Sequence, residues 1–325
     1  MYSFYKVIKN YIIWFCLSTT FIFEVNGKVV SMYCQVENGT ISYIIEDHKV
    51  CITGFEGSSQ SLVISETIDG VHVCGIAKKA FLGNRSLQHI ILPETIEWIG
   101  DWAFCNCAQL QRIEFPRHPV RLGKGLFAKD ERLYEINCGP EKGEMLFPGR
   151  LLAMAVTRLD AEYLLDMALT GTGEWYRQLD NRLLTKIMEP AENALRNLVY
   201  CAEEDMGAKQ EACLKEQERM KAYMALLRLA YPEKLVEETK KELKSYLLDQ
   251  DGLQTRSAWE AVKDANGKEQ FLFCDIMLEI SGICEQNLPS ILEDLGDTFV
   301  ELKAHLLKVW EQRSEQSSVW KKFAL

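Results

Sequence analysis

The chain has little of what catalysis at a built site leaves in a sequence. It contains no glycine-rich phosphate loop, no Gly-x-Ser-x-Gly elbow and no His-Glu-x-x-His. Its five histidines, His48, His72, His89, His118 and His305, are scattered, and none has a sequence neighbour that would complete a triad or ligand set. Cys105-Asn106-Cys107 is the only close cysteine pair, and no second pair or His motif completes a tetrahedral metal site. Positive charge is also lacking. The formal net charge is −10, whereas a nucleic-acid partner demands a positive footprint. No apolar run reaches the twenty or so residues of a membrane span. The expectation is a non-enzyme with no cofactor and no metal, whose partner is a protein that the sequence does not name.

What is present is a repeat. The segment LQHIILPETIEWIGDWAF from Leu87 is rewritten as LQRIEFPRHPVRLGKGLF from Leu110, 23 residues on. The same interval separates Ile90 from Ile113, Pro93 from Pro116, Ile99 from Leu122, Gly100 from Gly123 and Phe104 from Phe127. Phe81 lies one step earlier, and Leu133 with Ile136 one step later. A fixed period of this length marks a solenoid, in which each unit buries its apolar face only against its neighbours. Each unit reads as a short strand, a proline that ends the ladder, and a small turn closing on Phe. Gly100 and Gly123 are expected to let the chain turn back tightly. The unit from Leu62 carries the same marks with an insertion of about five residues around Asp69-Gly70, a turn pair expected to loop out. Pro119 departs from the pattern, standing where Ile96 predicts an apolar residue.

These words, LPETIEWIGDWAFCNCAQL above all, resemble the BspA-like leucine-rich repeat family of bacteria and some protists. The resemblance covers residues of about 40–137 and is strongest over 62–136. It implies a protein-binding solenoid, opened at its N-terminal end by paired strands at Thr40–Asp47 and Lys49–Phe55 around a turn at His48.

From Pro148 the texture changes to apolar residues at intervals of three and four. Leu151, Leu152, Ala155 and Leu159 predict one short helix. A second, capped by Asp160, runs through Tyr163, Leu164, Met167 and Ala168 and is stopped at Gly171-Thr172-Gly173. Pro190, Pro232 and Pro289 are placed at first helical positions. One long helix is expected at about Ala208–Arg228 and another at about Pro289–Arg313. In the latter, Leu292, Leu295, Phe299, Leu302, Leu306 and Val309 form a narrow seam that reads as helix packing within this domain, with self-association through the Leu292–Val309 stretch as the alternative. Residues 148–325 hold 23 Lys and Arg against 31 Asp and Glu, a net −8. Glu203-Glu204-Asp205 is the sharpest acidic cluster and reads as a helix-end surface patch. The residues of this half point to no particular family and go no further than an all-α, stacked helical array.

Residues 1–31 fit neither half. Lys6 and Lys9 before the apolar run Tyr11–Val25 have the outline of a secretory signal, without a small-x-small cleavage site. The alternative is that the protein starts at Met32. The codons for Lys28-Val29-Val30 permit a near-match to a bacterial ribosome-binding sequence at a sensible distance upstream. Eleven cysteines, an odd number at irregular spacing, read as free buried thiols in a reducing compartment.

The organisation expected is therefore α+β. Residues 1–31 are a signal-like or upstream segment, 32–139 a short leucine-rich repeat solenoid of 23-residue period with a β-hairpin cap, and 148–325 an acidic all-α domain. The function expected is an intracellular bacterial scaffold or adaptor, with a secreted or surface adhesin-like binder as the alternative. The candidate partner surface is His89, Ile91, Arg112, Glu114, Glu135 and Asn137 on the sheet face, with Trp98 and Trp102 as aromatic anchors.

Overall fold

The computed structural model describes residues 4–8, 11–15, 21–24, 31–138, 149–190, 206–248 and 256–323. They divide into two compact units, Met1–Trp175 and Tyr176–Leu325. The fold is α+β, with the solenoid in the first unit and helices throughout the second.

Three strands, β1 (Phe4–Ile8), β2 (Tyr11–Phe15) and β3 (Phe21–Glu24), form a separate antiparallel sheet. The solenoid proper opens with β4 (Met32–Val36), β5 (Gly39–Glu46) and β6 (Lys49–Gly57), paired antiparallel in sequence order. The expected hairpin is β5–β6, and β4 adds a strand to it. Asp47 and His48 both take positive φ, 49° and 58°, which matches the turn to the right-handed twist of the strands. β6 then pairs in parallel with β9 (Val71–Ile76) and so hands the cap over to the repeats.

Two parallel ladders run up the array. The first joins β7 (Ser61–Val63), β10 (His89–Ile91), β12 (Arg112–Glu114) and β14 (Glu135–Asn137). The second joins β9, β11 (Trp98–Ile99) and β13 (Arg121–Leu122). Cα partners along both ladders are 23 residues apart, apart from the step between β7 and β10, where the insertion lies. The inserted residues form a small hairpin, β8 (Thr67–Ile68) against β9, turned by Asp69 and Gly70 at φ 52° and 79°.

Between the ladders the apolar positions fill the interior. Leu87, Ile90, Ile96, Ile99, Leu110, Ile113, Leu133 and Ile136 are all buried. Phe81, Phe104 and Phe127 stack, with ring centroids 5.2 and 5.7 Å apart, and Phe55 of the cap continues the pile at 6.2 Å. Pro119 is exposed, and Val120, one place later, supplies the buried apolar side chain instead. The glycines correct an expectation. Gly100 and Gly123 are absent from the positive-φ residues, so neither serves a tight turn. A Cβ on Gly100 would stand 2.5 Å from Lys78 N, and one on Gly123 2.4 Å from Asp101 N. Glycine is required there because the neighbouring repeat's backbone passes too close for a side chain.

After β14 comes α1 (Gly149–Thr157), which packs on that strand with Leu151, Leu152 and Ala155 buried. The helix expected from Asp160 onward does not form. Asp160 takes φ 50°, a single 3-10 turn covers Glu162–Leu164, and Asp166 closes a further turn by accepting Ala168 N–H at 2.9 Å. Gly171-Thr172-Gly173 starts a helix rather than stopping one. Thr172 Oγ1 accepts Trp175 N–H at 3.2 Å, capping α2 (Gly173–Met188).

The second unit contains α3 (Met206–Ala230), α4 (Glu237–Leu248), α5 (Arg256–Asp264), α6 (Lys268–Glu279), α7 (Leu288–Leu295) and α8 (Val300–Phe323). Pro289 sits at the first turn of α7 as expected. Pro232 instead begins a turn closed by Leu235 N–H to its carbonyl, and α4 starts only at Glu237. The segment beyond Pro190 and the cluster Glu203-Glu204-Asp205 lie outside the described residues. The single helix expected at Pro289–Arg313 is two helices. Gly296 takes φ 47° and ψ −138°, a conformation open essentially to glycine alone, and the axis breaks there. Of the expected seam, Leu295, Leu302 and Leu306 are buried within the unit.

The unit is pinned by a buried ion pair. Arg228 Nε donates to Asp180 Oδ1 at 2.5 Å and Nη2 to Oδ2 at 3.1 Å, with Nη2 also donating to the Glu233 carbonyl at 3.1 Å. Nη1 donates to the Tyr231 carbonyl, and the guanidinium lies 5.1 Å from the Tyr176 ring centroid. The planar fork is thus satisfied on every side, the condition under which a guanidinium is tolerated in an interior.

Candidate functional site

The first ladder brings six of the predicted residues onto one face. Register places His89, Arg112 and Glu135 in one row, and Ile91, Glu114 and Asn137 in the next. The buried residue of each strand, Ile90, Ile113 or Ile136, points the other way, so alternation sends these six outward. All six are partly exposed. The face continues onto β7, where Ser61 and Val63 head the two rows and Val63 is 61% exposed. Val63 was not singled out in the sequence, although the shifted unit from Leu62 already sets it in the place of Ile91.

The charges of this face are largely spent on one another. Arg112 Nη2 lies 2.9 Å from Glu114 Oε1, and Arg112 Nε lies 3.7 Å from Glu135 Oε2. At the far end α1 arrives close to the strand. Gly149 is set so that a Cβ would fall 2.5 Å from Asn137 Oδ1 and 2.8 Å from the Ile136 carbonyl. The remaining apolar portion is Val63 with Ile91.

Trp98 and Trp102 belong to the second ladder and the turn that follows it, and the structure does not join them to the six. Each rests on a glycine one repeat away. Trp98 covers Gly75, where a Cβ would stand 2.3 Å from the indole, and Trp102 covers Gly125, at 2.4 Å. Trp102 is 38% exposed, and its ring carries Lys78 Nζ at 4.6 Å and Lys79 Nζ at 5.5 Å from its centroid. Trp98, Ile99, Arg121, Leu122 and Gly123 line an open groove of about 290 Å³. Lys78, Lys79 and Arg121 were not singled out in the sequence. The repeat register would have found them, since Lys79 aligns with Trp102, and Arg121 with Trp98.

Among the described residues no group of His, Cys, Asp and Glu is placed to hold a metal. Nine cysteines are described, all as free thiols. Cys107 is buried, its Sγ–H donating to the Phe81 carbonyl at 3.1 Å, and desolvation pushes its thiol well up. No described helix is long and apolar enough to cross a membrane.

A 23-residue parallel coil with buried Leu, Ile and Phe columns and an outward-facing ladder defines a leucine-rich repeat solenoid. Residues 56–145 match the family described as the BspA type leucine rich repeat region, in six copies. Solved structures similar to the chain include a leucine-rich repeat protein of T. pallidum, at 33% identity over 30% of this chain and 46% of that one, with a TM-score of 0.29. Another is a leucine-rich repeat protein of Bacteroides ovatus, at 26% identity over 32% of this chain and 28% of that one, with a TM-score of 0.28. The chain therefore spans less than half the length of these structures. No curated protein matches it.

Proposed function

We propose that this protein is a non-catalytic protein–protein interaction module, working inside the cell as a scaffold or adaptor. The observation that carries the proposal is the first ladder. It holds four strands in exact register and offers two rows of side chains on a rigid face, which is how repeat arrays bind. The apolar pair Val63 and Ile91 supplies desolvation there, and the self-neutralised Arg112 and Glu114 supply a polar rim. Free thiols at all nine described cysteines support a reducing compartment.

The test is cross-linking in the native cell, with mass spectrometry to locate the contact, combined with fractionation. The expected result is a protein partner cross-linked to residues 61–137, lost in a folded His89→Ala, Ile91→Glu double variant, with the protein in the soluble cell interior. A partner found only outside the cell would make it an adhesin-like binder instead. Absence of any partner, or a substrate turned over by the purified chain, would overturn the reading.

A further inference from the structure

The turn after the second ladder carries a feature that the first ladder does not. Three successive repeats place Lys78-Lys79, Asp101-Trp102 and Lys124-Gly125 in aligned positions, one step apart. The alignment is physical: Lys79 N–H donates to the Asp101 carbonyl at 3.0 Å, and Trp102 N–H to the Lys124 carbonyl at 2.8 Å. The groove beside Trp98 ends at Gly123, the residue directly before Lys124. Groove and turn therefore form one continuous surface of two tryptophans and four cations, Lys78, Lys79, Arg121 and Lys124.

Lys78 and Lys79 lie over the Trp102 ring, and Arg121 acts at longer range on Glu97. Among the described residues none of the four forms an ion pair with a carboxylate, unlike Arg112 on the other face. The nearby carboxylates are already occupied. Glu97 takes Lys49 at 2.7 Å, and Asp101 Oδ1 accepts the backbone N–H of Lys124 at 2.9 Å. The glycines seat each indole on backbone, and Trp102 stays 38% exposed beside Lys78 and Lys79, so the aromatics are held rigidly before any partner arrives. A local positive, aromatic surface on a chain of net charge −10 selects by complementarity.

We infer that the Trp98–Trp102 surface docks an acidic peptide segment of a protein partner, with carboxylates on Lys78, Lys79, Arg121 and Lys124 and an apolar side chain in the groove against Trp98. This rests on the protein-binding reading above and adds the chemistry of the partner and a second surface. A nucleic acid is disfavoured because its backbone would have to approach a molecule whose overall field is negative.

The test uses the full chain and fluorescent nonapeptides, one set rich in Asp and Glu with Leu or Phe at every third position, one set with Lys in place of the acids, and an oligo-dT strand. The acidic set should bind, and binding should weaken as salt is raised. A Lys78→Glu, Lys79→Glu, Arg121→Glu variant, altered only at exposed side chains, should bind at least tenfold more weakly with an unchanged melting curve. The His89→Ala, Ile91→Glu variant should bind as the parent does. Equal binding of both peptide sets, preference for oligo-dT, or indifference to the charge reversal would overturn this surface. If the native partner's cross-links were then lost only in the sheet-face variant, protein binding would stand and this docking site would fall. No binding by any probe together with no cellular partner would remove both.

Discussion

The backbone N–H of Cys107 donates to Oδ1 of Asp130, 2.7 Å away and exactly one repeat on. Asp130 is 1% exposed, and its second oxygen meets no hydrogen-bond donor among the described residues. Burial pushes the carboxyl up to about 8, opposed only by the bond from Cys107. In the unfolded chain the same group titrates near pH 3.9. The native state therefore binds an extra proton between those values. Its stabilisation is full below about pH 4 and is lost as pH rises through about 8. Asp130→Asn keeps the acceptor for Cys107 and removes the charge. The variant's advantage over the parent should grow by roughly 1–3 kcal/mol as pH rises from 6 to 9, because only the parent must then ionise in a buried place. Urea titrations of both proteins at the two pH values measure it.

The phenylalanine column makes a sharper claim about packing. Phe104 is wholly buried between Phe81 and Phe127. Phe104→Ala should cost about 3–5 kcal/mol, because two stacked rings cannot close on the cavity without shifting their own repeats. Chemical denaturation of the parent and variant gives the difference. A loss below about 1 kcal/mol would contradict the packing.

Much of this column was legible from the 23-residue interval, since a period that must bury the same face at each step leaves a repeated Leu, Ile and Phe at fixed places. The role of Gly100 was not. A glycine needed for close backbone approach and one needed for positive φ look the same in a sequence. The cap was half legible: the turn at Asp47-His48 marked the β5–β6 hairpin, whereas the Asn38-Gly39 turn signal that joins β4 to β5 was passed over. The helical half was read least well. Asp160 and Gly296 break continuous apolar patterns by backbone conformation, which periodicity does not register. Among site residues, the sheet-face six followed from strand alternation. The cations around Trp102 escaped because lysines in a turn read as solvated until the turns are stacked.

That glycine distinction is testable. Gly100→Ala should destabilise by roughly 1–3 kcal/mol through overpacking against Lys78 and Ala77. Gly70 is the opposite case, with φ 79° and open space around its Cβ position. Gly70→Ala should cost only the left-handed strain, about 1 kcal/mol. Paired melting curves separate the two, and equal costs would mean that the repeats are spaced more loosely than described.

In the second unit, Asp180→Ala leaves the Arg228 guanidinium buried without its carboxylate. The expected loss is about 3–5 kcal/mol. The double replacement Asp180→Leu, Arg228→Met should recover most of it, since the site can be filled by apolar side chains of similar volume. A double variant as unstable as the single one would show that the bonds from Arg228 to the Tyr231 and Glu233 carbonyls, rather than the ion pair, hold this part of the unit.

The end of the solenoid gives the last expectation. β14 has no successor among the described strands, and α1 packs on it with Leu151, Leu152 and Ala155 buried. Glu162 adds a polar tie, its Oε1 accepting Leu126 N–H at 2.8 Å, and Trp175 Nε1 donates to the Leu164 carbonyl at 2.8 Å. These residues close the array as a cap must, covering apolar side chains that another repeat would otherwise bury. A fragment from Met32 to Gln178 should therefore be monomeric and unfold cooperatively. A fragment from Met32 to Met145 ends before α1 and should aggregate or fail to fold, because the bare end exposes a contiguous apolar surface. Size-exclusion chromatography and thermal unfolding of the two fragments decide it. A monomeric, cooperatively folded short fragment would mean that the repeats close without α1, and the helix would then be an addition to the array rather than its cap.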